Sequence, residues 1–65
     1  MGSNLYPDLR RLLEDSGCRL VRQGKGSHEI WFSPITNIKF TVPRNTVIRH
    51  TANGVLRDAG LPKAF

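Results

Sequence analysis

An α+β chain of order α-β-β-β-α is predicted by three observations. Leu5, Leu9, Leu12 and Leu13 recur at helical spacing near the start. Ile38, Phe40 and Val42 alternate with Lys39, Thr41 and Pro43, the cleanest period-two segment present. Ala52, Val55, Leu56 and Ala59 then repeat a helical apolar stripe. The 65 residues are expected to form one small domain with a thin core.

Each element has local support. Pro7 suits a first helical turn, where its missing N–H would be unpaired anyway, and Asp8 complements the helix dipole. Gly17 is a natural stop, so the first helix is read as Tyr6 to Ser16. Cys18 to Gln23 contains Leu20 and Val21 and reads as a strand, and Gly24 to Ser27 as a turn. Glu29 to Ser33, with Ile30, Trp31 and Phe32, reads as a second strand. Pro34 to Asn37 is a turn before the third strand. Arg44 to Arg49 is a polar connection, Thr51 fits an N-cap, and Gly60 with Leu61-Pro62 ends the second helix. Gly54 sits inside that helix at a cost of about 1 kcal/mol relative to Ala. It reads as a place of close approach to a strand or a ligand, or as a glycine simply tolerated there, with packing the favoured explanation.

Short turns make the three strands an antiparallel meander. Both helices must then cover one face of the sheet, since nothing else is available to do so. With Ile30 and Phe32 pointing inward alongside Ile38, Phe40 and Val42, Glu29 and Trp31 are expected on the open side. His28 shares the parity of Ile30 and is expected at the rim.

Ten Lys and Arg face five Asp and Glu, a formal net charge of +5. No acid occurs from Ile30 to Arg57, whereas Lys39, Arg44, Arg49 and Arg57 do. Such a field favours nucleic acid or an acidic protein partner. The one cysteine, Cys18, excludes an intrachain disulfide and reads as a small buried hydrophobe. One Cys and two His fall short of a zinc site, and no cofactor is expected. No apolar run approaches the length of a membrane span, and no signal peptide is evident. A soluble cytoplasmic protein with no membrane partner is expected. Met1-Gly2-Ser3 is given no weight.

The chemistry gathers at Gly24-Lys25-Gly26-Ser27-His28. Imidazole carries or accepts a proton near neutrality. Attack of a ribose 2′-hydroxyl on the adjacent phosphate needs a base for that hydroxyl, an acid for the departing 5′-oxygen, and positive charge near the phosphate oxygens. Lys25 and Ser27 can bind phosphate, and Gly24 and Gly26 allow backbone N–H groups to approach an anion. The same residues also describe a plain hairpin turn with a structural histidine. Arg22, Lys39 and Arg44 are the other expected phosphate contacts. His50 and Lys25 are candidates for a second acid–base group. Trp31 is a candidate to stack on a base or a partner.

Three stretches resemble the HicA toxin family, the small RNA-cleaving toxins of type II toxin–antitoxin pairs. Leu20-Val21-Arg22-Gln23-Gly24-Lys25-Gly26-Ser27-His28 is similar to its strand–turn–histidine signature, and Phe40-Thr41-Val42-Pro43 to its third strand. His50 to Leu61 is similar to its C-terminal helix. The resemblance implies a fold like the double-stranded RNA-binding domain. It implies mRNA cleavage without metal by one histidine, at the position of His28, and a HicB-like antitoxin that covers that histidine. Glu29 departs from the commonest pattern, and its charge beside His28 is expected either to weaken RNA binding or to tune His28. The alternatives are a non-catalytic RNA-binding module and a protein-interaction domain presenting Trp31.

Overall fold

The structure, a computed structural model, describes residues 4–65; Met1-Gly2-Ser3 lies outside them. The element order is α1 (Tyr6–Asp15), β1 (Arg19–Gln23), β2 (His28–Ser33), β3 (Ile38–Pro43) and α2 (Arg49–Asp58). The strands form one antiparallel sheet in the order β1-β2-β3. The α-β-β-β-α order and the meander are those expected.

Both helices form for the reasons read from the sequence, and both stop the same way. Leu9 and Leu13 of α1 and Ala52, Val55 and Leu56 of α2 are buried. Past α1, the Gly17 N–H donates to the Glu14 carbonyl and the Cys18 N–H to the Leu13 carbonyl. Past α2, Gly60 donates to Arg57 and Leu61 to Leu56 in the same pattern. This paired closure needs a left-handed residue, supplied by Gly17 at φ 89° and Gly60 at φ 84°. The α2 start differs from the expectation. The helix begins at Arg49 with Ile48 in the cap position and no side-chain cap, so Thr51 lies inside it. At α1 the Asn4 carboxamide oxygen accepts the Tyr6 N–H at 3.0 Å, a turn that sets up the helix. Thr46 is buried and donates to the Pro43 carbonyl, while its own carbonyl accepts the Leu5 N–H, tying the loop before α2 to the start of α1.

The parity of β2 is the reverse of the one expected. Glu29, Trp31 and Ser33 are buried, and Trp31 is wholly inaccessible. Their β3 partners are Val42, Phe40 and Ile38. Directly paired residues share a face, so these six lie on the helix side. Phe40 and Val42 are core residues as expected, whereas Ile38, at the end of the sheet, is 50% exposed. Ile30 and Phe32 take the other side.

Hydrophobicity alone would favour the opposite arrangement, and hydrogen bonding decides against it. A buried carboxylate is tolerated only when its oxygens find donors. The Glu29 Oε1 accepts the Tyr6 hydroxyl at 2.6 Å and the Trp31 indole N–H at 3.0 Å. Ser33 donates its hydroxyl to the Ala59 carbonyl at 2.7 Å and accepts the Ile35 and Thr36 N–H groups. Polar residues on the inner face thereby fasten β2 to both helices. Among the described residues, no buried side-chain polar atom lacks a partner. Trp31, larger than Ile30 or Phe32, fills the centre of the core.

Burial, and then the adjacent Glu29 charge, raise the Tyr6 pKa above its ordinary value. Folding therefore favours the neutral phenol. That contribution to stability is complete below a pH of about 10 and is lost as pH rises through the higher folded-state value. Tyr6→Phe is expected to lower stability by about 1–3 kcal/mol at neutral pH, because Glu29 loses a donor. It should also flatten the alkaline limb. Urea denaturation at neutral and strongly alkaline pH checks both effects.

Candidate functional site

The face of the sheet turned away from the helices holds the expected catalytic histidine. His28 opens β2 and is exposed, on the side of Ile30 and Phe32. Pairing arranges that face in rows. Arg19, Phe32 and Lys39 form one, Arg22, Ile30 and Thr41 the next, and His28 with Pro43 the last. Rows two residues apart are separated by about 6.6 Å along the strands.

Two arginines share this face because β1 is irregular. Arg19 and Arg22 are three residues apart, and a regular strand would send them to opposite sides. The register shifts between Leu20 and Arg22, leaving Val21 as an extra residue. This bulge turns Arg22 onto the side of Arg19. The Arg19 guanidinium lies 5.5 Å from the centre of the Phe32 ring, a cation–π contact.

No carboxylate shares the face. Glu29, next to His28 in sequence, points to the opposite side and is held by Tyr6 and Trp31. Its expected role beside His28 is therefore corrected: its charge acts in the core. Among the described residues, side-chain ion pairs occur only along α1, at Arg10–Glu14 (3.1 Å) and Arg11–Asp8 (3.9 Å). Among the described residues, Arg19, Arg22 and Lys39 thus carry charge with no counter-ion.

The turn before His28 is more closed than expected. The Gly24 N–H donates to the His28 carbonyl at 2.8 Å, and the His28 N–H to the Lys25 carbonyl at 3.1 Å. The Gly24 N–H is thus already engaged and is not offered to an anion. The Gln23 carboxamide donates to the Gly26 and His28 carbonyls, stiffening the turn. The Ser27 carbonyl accepts the Arg44 N–H at 2.8 Å, and the Ser27 hydroxyl lies 3.4 Å from the Asn45 carboxamide oxygen. Lys25, Ser27, His28 and Arg44 are thereby collected at one end of the sheet, with Arg22 and Lys39 further along its open face.

Two expected candidates lie elsewhere. Trp31 is in the core and is not available for stacking. The aromatic residue on the open face is Phe32, missed because its neighbours' polarity was not expected to be buried. His50 is in the first turn of α2 and lines a cleft with Asn53, Gly54 and Arg57. Arg19 was also missed, since the bulge that aligns it with Arg22 leaves no mark in residue type. Cys18 is buried and free, as expected. Among the described residues, no cluster of three His, Cys, Asp or Glu side chains could hold a metal ion, and no helix is long and apolar enough to cross a membrane.

Among the described residues, the His28 ring makes no hydrogen bond and covers no core, so His28→Ala is expected to change stability by less than about 0.5 kcal/mol. Thermal unfolding of the variant beside the parent measures this.

A family model described as "HicA toxin of bacterial toxin-antitoxin" matches residues 6–61. No curated protein and no solved structure matches the chain.

Proposed function

Because the chain belongs to the HicA toxin family of bacterial toxin–antitoxin systems, we propose that it is an endoribonuclease that cleaves mRNA with His28 and without metal. It is read as one toxin domain over residues 1–65. The observation that carries the reading is the helix-free sheet face, where exposed His28 shares a surface with Arg19, Arg22 and Lys39 and with no carboxylate.

On this reading the RNA backbone crosses the open face. Its phosphates meet Arg22, Lys39 and, at the His28 end, Lys25, Ser27 and Arg44. His28 accepts the proton of a ribose 2′-hydroxyl as that oxygen attacks the adjacent phosphorus. The new P–O2′ bond forms as the P–O5′ bond breaks, and the departing 5′-oxygen takes a proton from a second group. Lys25, joined to His28 through the backbone of the turn, is the residue proposed for that transfer. The unpaired cations stabilise charge that builds on the phosphate oxygens. Phe32, on the central strand of the same face with the Arg19 guanidinium against its ring, offers together with that guanidinium a stacking surface to a base further along the strand.

A single-stranded substrate follows from this chemistry. In-line attack by the 2′-oxygen requires a backbone free to rotate, and stacking on Phe32 requires an unpaired base. The antitoxin implied by the family is proposed to cover His28 and the surrounding cations with an acidic, HicB-like surface. The second reading, a non-catalytic RNA-binding module, draws support from the lack of any hydrogen-bonded partner that would orient the His28 ring.

Purified protein incubated with single-stranded RNA in EDTA is expected to leave fragments ending in a 2′,3′-cyclic phosphate. His28→Ala should lose about 10²–10⁴-fold in rate while still binding RNA. Equal cleavage by parent and variant removes His28 from the mechanism, and binding without cleavage by the parent favours the second reading. Arg22→Ala and Lys39→Ala are each expected to lower the slope of log affinity against log salt by about 0.7. Fluorescence anisotropy across a salt series measures the slopes.

A further inference from the structure

A second surface lies apart from the sheet face. His50, Asn53, Gly54, Arg57, Leu61 and Lys63 line an open cleft of about 420 Å³ along the outer side of α2. Its far wall is held in place by Asn53. The Asn53 carboxamide oxygen accepts the Ala64 and Phe65 N–H groups at 3.2 and 3.0 Å, and its nitrogen donates to the Phe65 carbonyl at 3.4 Å. Ala64 and Phe65 are thereby clasped against the helix, and Lys63 and Arg57 both line the cleft.

Two features mark the cleft as a ligand site, and the charge of its lining points to an anionic occupant. Arg57, Lys63 and the imidazole of His50 line the cleft, and no carboxylate does. None of the three is in an ion pair among the described residues. The second feature is Gly54. A glycine inside a helix costs about 1 kcal/mol relative to Ala. Close packing within the protein would explain it, yet a methyl group placed there would meet nothing within 4 Å. The packing explanation read from the sequence therefore fails, which leaves a glycine simply tolerated or one that gives a ligand room, and Gly54 lines the cleft. Leu61 adds an apolar wall suited to a base or a sugar. The volume falls within the range of small-ligand sites.

We infer that this cleft binds a nucleoside phosphate, with the phosphate between Arg57 and Lys63 and the nucleoside over Gly54 and against Leu61. The occupant is a free nucleotide or one unit of an RNA chain, the chemistry being the same. The inference does not depend on cleavage at His28.

The full-length His28→Ala protein, which is not expected to cut RNA, is titrated with AMP, with a short single-stranded RNA, and with a tetraglutamate peptide, while its backbone amides are followed by NMR. Shifts at Asn53, Gly54 and Arg57 with AMP support a nucleotide site, and shifts with RNA alone support a unit of the chain. Arg57→Ala and Lys63→Ala should each weaken binding about tenfold. Gly54→Ala separates the inference from a structural role. It should raise Tm, because Ala favours the helix, and yet weaken binding, because the proposed nucleoside lies directly over this position. No shift at these amides with AMP or RNA overturns the site. So does a response to tetraglutamate alone, or unaltered affinity in Gly54→Ala.

Discussion

One oxygen of Glu29 organises the molecule. It accepts the Tyr6 hydroxyl from α1 and the Trp31 indole N–H from two residues along its own strand. An unpaired carboxylate in this thin core would be strongly destabilising, so the two donors and the acceptor must be assembled together. Once they are, the orientation of β2 is settled for every residue, because side chains alternate with period two. Trp31 goes to the centre and Ser33 to the end of α2. His28, Ile30 and Phe32 are turned outward. The exposure of His28 is thus a consequence of how a neighbouring acid is buried.

The same arrangement sorts charge. Glu29 is drawn to the helix side, while Asp8 and Glu14 of α1 lie beside that helix's own arginines. The helix-free face is left with cations alone. If the proposed function holds, such sorting serves both RNA and an acidic protein partner, because one concentrated positive face attracts both. In the proposed function these two ligands compete for the same surface, which makes the partner an inhibitor by simple occlusion.

Much of this was legible in the sequence, and the failures have physical causes. Helix stripes, the Gly17 and Gly60 stops and the alternation in β3 depend on local chemistry, and each appeared where expected. The face of β2 did not. Alternation shows that residues divide into two sets, but choosing the inner set weighed Ile30 and Phe32 against Glu29 and Trp31 by hydrophobicity. The deciding term was a hydrogen bond from Tyr6, 23 residues away, which no local pattern contains. The exposed, rim position of His28 was readable from its place beside the turn, and its turn and flanks carry the family's pattern. Arg19 and Phe32 were not, since their place on the same face depends on strand register.

The irregularity in β1 has a consequence for how this chain tolerates change. Val21 is left out of the pairing, so the ladder passes from Leu20 opposite Trp31 to Arg22 opposite Ile30. Pairing Val21 with Ile30 instead would carry Arg22 opposite Glu29, on the helix side. Loss of Val21 would close a regular ladder with Arg22 still opposite Ile30, and the open face would keep its arginine. What holds Arg22 outward is the exclusion of Val21 from the ladder, so a change that draws Val21 into register should disturb this face more than one that removes it.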